Sequence, residues 1–241
     1  MPERPRPSLS LGSGGRNFAI CLTARTGFPK LCAGLNDMAR TQAADYDQRR
    51  AEIVAHAARL YAKHGFLGAS VADLAMACDV SKSAIYHYYP SKEDILYDVM
   101  ISHVRALEEA AAAAMAHEGR AEEKLRMLAR LFMALYVGAA DRHKVLLNDL
   151  DHLPKPRRAE IVAVQRGLIE QVRKLLGDIA PGLKRKSGES FAAAMLFFGA
   201  INRTHTWFDA KGAVSAERLA DMAVDVPLGG VAETAGFKGG V

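Results

Sequence analysis

The sequence has little cysteine and no long apolar run, and each shortage excludes a class of protein. Three cysteines among 241 residues, Cys21, Cys32 and Cys78, exclude a disulfide scaffold and a four-thiolate zinc site, and they suit a reducing cytoplasm. No apolar run approaches the length that spans a bilayer, so a membrane protein is not expected. With 50% hydrophobic and 24% charged residues, the composition is that of a globular chain of one or two domains.

Catalytic and metal-binding signatures are also missing from the sequence. It has no glycine-rich phosphate loop after a strand, no Gly-x-Ser-x-Gly and no His-Glu-x-x-His. The eight histidines lack the spacing of zinc ligands, and no cysteine lies near a plausible catalytic partner. We therefore expect neither an enzyme nor a metal site, and no cofactor.

The first 37 residues differ from the rest of the chain. They are rich in Pro, Gly and Ser, and five basic against two acidic residues give them three of the five net positive charges. A short apolar core with Pro before it and Arg25 behind it makes a poor signal peptide. Three interpretations stay open: a disordered basic arm, a cryptic targeting segment, and a start codon misassigned upstream of Met38. The last is favoured, because Met38 opens a well-behaved helical protein.

From Asp45 onward the sequence predicts helices only. Apolar residues recur three and four apart, alanine is abundant, and alternating β-branched runs and hairpin dipeptides are absent. We expect an all-α chain, with a three-helix unit at 38–90, a larger helical body at 91–232 and a frayed end at 233–241. The body helices are predicted at 92–117, 120–140, 142–151, 156–178, 188–208 and 215–230.

The three-helix unit has the spacing of a helix-turn-helix DNA reader. Capping boxes begin at Ser70 and Ser91, Ser81 caps the third helix, and a tight turn at 78–80 joins the second helix to the third. The third helix is predicted to turn a polar and aromatic face outward, which suits base edges in a major groove. This face consists of Ser81, Lys82, Ser83, Tyr86 and His87.

Groups that could hold DNA phosphates flank this face. Ser70 and Ser91 occupy helix N-termini, where free N–H groups and the helix dipole favour anions, and Lys92 lies in the first turn of the fourth helix. Arg40, Arg49 and Arg50 precede or begin the first helix and could reach the backbone or the minor groove. Residues 38–99 nevertheless carry seven basic and eight acidic residues. Affinity should therefore depend on a few placed contacts and on two copies of the unit.

The run from Gly65-Phe66 through Ser70–Ala75 and Val80–Leu96 strongly resembles the TetR family of bacterial regulators. The resemblance implies that the outward residues of the third helix read the groove and that Ser70 and Lys92 contact phosphate. It also implies a homodimer on a pseudo-palindromic operator, from which a small-molecule effector releases it. Asp79 stands where the family usually has Gly, and Asp tolerates the left-handed conformation better than most residues.

The segment at 188–208 predicts a helix that is apolar on two faces and so must be covered on both. One stripe is Phe191, Met195, Phe198, Asn202 and His205. With the apolar residues of the final helix, it could complete a two-fold four-helix dimer interface. An ordinary buried core helix is the alternative, and the family resemblance favours the interface.

Polar or aromatic residues on these apolar segments are candidates for a ligand pocket. They are Asn148, His152, Phe198, Asn202, His205 and Trp207. Two stretches, Asn148 to Pro154 and Ile201 to Phe208, resemble TetR members that sense acyl-coenzyme A thioesters of fatty-acid, steroid or phenylacetate breakdown. We expect a cytoplasmic repressor with double-stranded DNA, an effector and a second copy as partners. A constitutive DNA-binding dimer, a regulator with a drug-like effector, and a non-DNA interaction module are the alternatives.

Overall fold

A computed structural model describes the backbone of residues 30–185 and 187–236, and the side chains of residues 43–183 and 188–229. Over the described residues the chain is all-α, as predicted, and it has no strand. The helices are α1 (Lys30–Gly68), α2 (Val71–Ala77), α3 (Lys82–Tyr88), α4 (Lys92–Ala116), α5 (Ala121–Gly138), α6 (Ala140–Asn148), α7 (Lys155–Ile179), α8 (Ser187–Asn202) and α9 (Ala216–Gly236). Short 3₁₀ turns follow α6, α7 and α8 at Leu150–His152, Pro181–Arg185 and Thr204–Thr206.

Both predicted outer boundaries lie inside helices. Helix α1 begins at Lys30, before the expected end of the tail at residue 37, and Lys30, Leu31, Ala33 and Leu35 in this stretch are good helix formers. Helix α9 continues to Gly236, past the expected boundary at residue 232. Residues 1–29 and 237–241 of the two predicted terminal segments lie outside the described residues. The chain divides into the units Met1–Ala44 and Asp45–Val241, and the second holds α2 to α9.

The turns of the three-helix unit have the predicted local chemistry. Gly65 breaks α1 with a φ of 74°, a conformation that side chains with a Cβ rarely adopt. The Ser70 hydroxyl accepts from the Asp73 N–H at 3.1 Å, while the Asp73 carboxylate accepts from the Ser70 N–H at 2.9 Å. Asp79 has a φ of 53°, so the left-handed turn survives without glycine. These interactions fix the angle at which α3 leaves α2.

Two hydrophobic cores organise the second unit. The first joins the three-helix unit to the first half of α4, to α6 and to the start of α7, and is centred on Leu74, Ile85, Leu96 and Val104. The second lies among α4, α5, α7, α8 and α9, with Phe132 and Phe197 fully buried. Helix α4 contributes to both cores, and it therefore links the three-helix unit to the body.

A polar triad fastens α1 and the end of α3 to α4. Arg50 pairs with Asp98 and donates to the Tyr89 hydroxyl at 3.2 Å, and that hydroxyl donates to Asp98 at 2.8 Å. The guanidinium carbon also lies 4.7 Å from the centre of the Tyr89 ring. Since Tyr89 directly follows α3, the triad holds the third helix against both neighbours.

The prediction of one helix from 188 to 208 is wrong, because α8 ends at Asn202. The Thr204 hydroxyl donates to the Ile201 carbonyl at 2.7 Å, and His205 Nδ1 lies 2.8 Å from the Asn202 carbonyl oxygen. Side chains thereby take the carbonyls that further helical turns would use. The predicted stripe is also split: Phe198 lies on the buried side of α8, and His205 lies beyond its end.

Candidate DNA-reading surface and ligand cavity

The outward face of α3 is built as the sequence predicts. Ser81, Lys82, Ser83, Tyr86 and His87 are all exposed, while Ile85 is completely buried and anchors the helix. The Ser81 hydroxyl caps α3 by accepting from the Ala84 N–H at 3.1 Å. The Lys82 ammonium lies 5.9 Å from the centre of the Tyr86 ring, which supports that long side chain. Hydroxyl, ammonium, phenol and imidazole groups therefore stand side by side on one accessible helix face.

The predicted phosphate contacts have partners within the protein. The Ser70 hydroxyl lies 2.6 Å from an Asp73 carboxylate oxygen, and Arg49 pairs with Glu52 at 2.8 Å. Lys92 donates to the Phe66 carbonyl and lies 4.1 Å from the centre of the Phe66 ring, where burial lowers its pKa. Ser70 and Arg49 remain at the surface, whereas Lys92 must leave Phe66 to reach a phosphate.

The side chain of Arg40 lies outside the described residues. Its place among the phosphate contacts therefore stays a prediction.

A cavity of about 220 Å³ lies among α4, α5, α6, α7 and α8. Its apolar wall includes Leu107, Leu146, Leu168, Ile169 and Phe198. Polar atoms come from Tyr136, His143, Gln165 and Asn202, and none of its lining side chains among the described residues carries a full charge at neutral pH. The cavity therefore suits an apolar group with an uncharged polar end.

The polar end of the cavity is a hydrogen-bonded cluster. The Tyr136 hydroxyl donates to Asn202 Oδ1 at 2.8 Å, and its ring stacks on His143 with centroids 3.8 Å apart. Over the described residues, the Asn202 side-chain NH₂ and the Gln165 amide show no hydrogen bond. These amides can therefore donate to a ligand oxygen.

The Asn202 carbonyl determines the tautomers of two buried histidines, His103 and His143. His143 Nε2 lies 3.0 Å from the Asn202 carbonyl oxygen, which can only accept, so His143 carries its proton on Nε2. Its Nδ1 then accepts from His103 Nε2 at 3.2 Å. Burial lowers the pKa of His103 to about 3 and that of His143 to about 4. Both imidazoles are therefore neutral in the folded protein at pH 7.

Only two of the six predicted ligand residues, Phe198 and Asn202, line this cavity. His205 lies behind the polar end, with its ring centre 5.6 Å from that of His143, and Trp207 is 61% exposed. Asn148 and His152 lie at the junction with the three-helix unit. There His152 stacks on Phe66 with ring centres 5.4 Å apart.

Sequence reasoning missed Tyr136, His143 and Gln165 as cavity residues. A signal existed for the cluster behind them, because His103 falls in register with the buried residues Val99, Met100, Val104 and Leu107 of α4. A histidine on such a face needs a polar partner inside the protein. That partner, His143, is 40 residues away, and helical periodicity cannot show which distant element supplies it.

Apolar residues of α8 and α9 are exposed in the single chain. Leu196 is 71% exposed and Val226 is 74% exposed. Gly199 lies on the same face, with open space where a Cβ would stand. The face, called here the α8–α9 face, consists of Phe191, Ala192, Met195, Leu196, Gly199, Ala200, Met222 and Val226.

The described part of the chain has neither a metal-binding cluster nor a membrane-spanning helix. Its His, Cys, Asp and Glu residues form no group of three or more that could hold a metal ion. None of its helices combines the length and the hydropathy needed to cross a membrane.

Family comparisons match both parts of the second unit. Residues 53–99 match the model "Bacterial regulatory proteins, tetR family", and residues 118–231 match "Tetracyclin repressor-like, C-terminal domain". A TetR-family transcriptional regulator from Bordetella parapertussis is 37% identical, with a TM-score of 0.72, and the match covers 74% of this chain and 93% of that one. This chain belongs to the TetR family. It is a DNA-binding transcriptional repressor of the TetR type and not an enzyme.

More distant TetR relatives share the fold or parts of it. The repressor AcnR of Corynebacterium jeikeium is 32% identical over 75 residues, which are 31% of this chain and only 40% of that protein. The repressor KstR2 of Mycolicibacterium smegmatis is 24% identical over 198 residues, covering 79% of this chain and 94% of KstR2. AibR, solved with isovaleryl coenzyme A and operator DNA, is 23% identical with a TM-score of 0.64, covering 74% and 97% of the two chains.

The buried histidines predict acid sensitivity of this TetR protein. Because burial lowers both pKa values below the ordinary 6.5, the unfolded chain binds more protons than the native protein as the pH falls below 6.5. The neutral imidazoles therefore stabilise the native protein fully above pH 6.5, and this stabilisation is lost as the pH falls toward 4. Wild type should lose up to about 2 kcal/mol per imidazole between pH 7 and pH 5.

Urea unfolding of His103→Gln at both pH values measures this loss. The variant should lose less stability on acidification than wild type, whereas His117→Gln, at an exposed position, should match wild type. An equal loss in His103→Gln and wild type would contradict the buried neutral pair.

Proposed function

We propose that this protein is a dimeric repressor that leaves its operator when an acyl thioester occupies the cavity. The cavity carries this proposal, because it combines apolar walls with unpaired amide donors. Its placement among α4, α6 and α8 puts the ligand in contact with the helices that reach the three-helix unit and the α8–α9 face. The proposed domain boundary, between 38–90 and 91–232, falls where α4 begins.

DNA reading is assigned to the exposed face of α3. Ser81, Lys82, Ser83, Tyr86 and His87 offer donors and acceptors of the kind that distinguish base pairs in the major groove. Ser70 and Arg49 contribute phosphate contacts at its flanks, and a phosphate contact by Arg40 is proposed from the sequence alone. Lys92 joins them when it exchanges the Phe66 carbonyl for a phosphate oxygen. Such contacts are few for one copy, so two copies on adjacent half-sites supply the affinity.

The α8–α9 face is the proposed surface for the second copy. Its residues are apolar, with large side chains beside small ones, which allows two helix pairs to approach closely. Such a patch is rarely left exposed on a monomeric protein. Pairing the two α8–α9 faces gives a four-helix interface with two-fold symmetry, which matches a pseudo-palindromic operator.

Leu196→Glu should convert the dimer into a monomer, because it places a charge at the centre of the α8–α9 face. Sedimentation equilibrium at micromolar concentration should give twice the 26.1 kDa chain mass for wild type and the single mass for the variant. Val137→Glu, on a 39% exposed apolar residue outside this face, is the control and should stay dimeric. A monomeric wild type would contradict the interface.

The effector class follows from the size and chemistry of the cavity. A volume of about 220 Å³ has room for a short acyl group. Asn202 and Gln165 can donate to its carbonyl oxygen. A free carboxylate or a cationic drug would be buried without an opposite charge, which is costly. AibR, with isovaleryl coenzyme A, is a relative of the same fold with such a ligand.

Helix α6 connects the cavity with the DNA-reading unit. His143, near its start, lines the cavity, and Asp149, just after its end, accepts from the Phe66 N–H at 3.2 Å. A ligand that displaces His143 therefore acts on the turn that holds α2 and α3. For release, the effector must bind the displaced arrangement more tightly than the DNA-competent one.

Isovaleryl coenzyme A should raise the melting temperature of the dimer and release it from DNA, whereas coenzyme A alone and isovalerate should not. Gln165→Leu should weaken binding of the thioester about three- to tenfold, because one hydrogen bond is lost. Titration calorimetry with each compound measures both effects.

Gln171→Leu is the matched control for this titration. Gln171 lies on the same helix but does not line the cavity, and its buried Oε1 has no hydrogen-bond partner over the described residues. Its thioester affinity should equal that of wild type. Identical behaviour of Gln165→Leu and wild type, or no response to short acyl thioesters, would contradict the proposed effector.

A further inference from the structure

Three aromatic rings meet at the edge of the DNA-reading face. Tyr46, on α1, lies 4.9 Å from Tyr88 between ring centres, and 6.5 Å from His87 in an edge-on arrangement. His87 and Tyr88 also meet edge-on at 5.3 Å. The exposed imidazole of His87 is therefore bordered by aromatic rings on two sides.

The bonds of Arg50 hold the part of α1 that carries Tyr46. Arg50, one helical turn further along α1, is bound to Tyr89 and Asp98, so this part of α1 cannot move independently of the end of α3. Tyr46 itself is 37% exposed and lies at the rim of the same surface as His87. Its hydroxyl makes no hydrogen bond with the described residues, so its contacts with α3 are made by the ring.

Bordering rings reduce the number of orientations that an exposed side chain can adopt. A free imidazole on the last turn of α3 would lose rotamer freedom on binding DNA, and that loss would weaken its contact. Edge-on aromatic contacts favour a defined ring geometry. With the Tyr46 ring beside it, the His87 imidazole is already oriented before it contacts the DNA groove.

We propose that Tyr46 is a positioning residue for DNA reading: its ring orients His87 and thereby sets the preference for the base pair that His87 faces. The inference rests on the proposed reading of DNA by α3. It extends the determinants of specificity from α3 onto α1. The ring acts in this role, and the hydroxyl is not needed.

The experiment starts from duplexes enriched from a random pool by the full-length wild-type protein. Their affinities for wild type, Tyr46→Phe, Tyr46→Ala, His87→Ala and the double alanine variant are measured at one salt concentration. Tyr46→Ala should bind about tenfold more weakly, since one base contact is worth about 1–3 kcal/mol. Tyr46→Phe should bind like wild type, and the double variant no more weakly than the weaker single variant.

A second readout separates positioning from a purely structural role. Each base pair of the enriched duplex is substituted in turn, and Tyr46→Ala should lose the same base preference that His87→Ala loses while keeping the others. Tyr46→Leu, which retains apolar packing against Tyr88, keeps the comparison valid if Tyr46→Ala is less stable. It should show the same selective loss.

Three results would overturn the inference alone: additive losses in the double variant, a uniform loss over all base pairs, or a Tyr46→Phe variant as weak as Tyr46→Ala. Lys82→Ala, which leaves the aromatic rings intact, is the control and should lose affinity with a different pattern of base preferences. A wild-type protein that enriches no sequence would overturn both the proposed function and this inference.

Discussion

The anchoring of Phe66 is the interaction on which the link between the two halves of the molecule depends. Its N–H donates to Asp149, its carbonyl accepts from Lys92, and its ring contacts Tyr61 and His152. The positive φ of the preceding glycine releases the chain from α1 at this point. Groups from α1, α4 and the α6–α7 connection therefore converge on one residue, which lies in the turn before α2.

Several residues that the sequence predicts as ligand or phosphate contacts lie around Phe66. His152, a predicted ligand contact, stacks on Phe66, and Asn148 lies near Tyr61 and Gly65. Lys92, a predicted phosphate contact, donates a hydrogen bond to the Phe66 carbonyl in this structure, which contains no DNA. These residues lie between the cavity and α3, and in the proposed mechanism they would couple the ligand to DNA binding.

Local features of the fold could be predicted because they depend on neighbouring residues. The capping box at Ser70, the side-chain cap at Ser91 and the left-handed Asp79 are each determined within four residues, and all three are found, although the reciprocal bond of a capping box is present only at Ser70. The cavity could be predicted only in part. The end of α8 depends on the competition of Thr204 and His205 for backbone carbonyls, and the His103–His143 pair joins helices 40 residues apart. Periodicity indicates that such a side chain is buried but not which element it meets.

The coupling through Phe66 is tested most directly by the DNA affinity of Asp149→Asn, with and without isovaleryl coenzyme A. The neutral amide keeps the size of the side chain but weakens acceptance from the Phe66 N–H. The account predicts weaker DNA binding and a smaller effect of the thioester than in wild type, whereas Asp151→Asn, an exposed carboxylate two residues on, behaves like wild type. A folded Asp149→Asn protein with unchanged DNA affinity and full release by the thioester would contradict it.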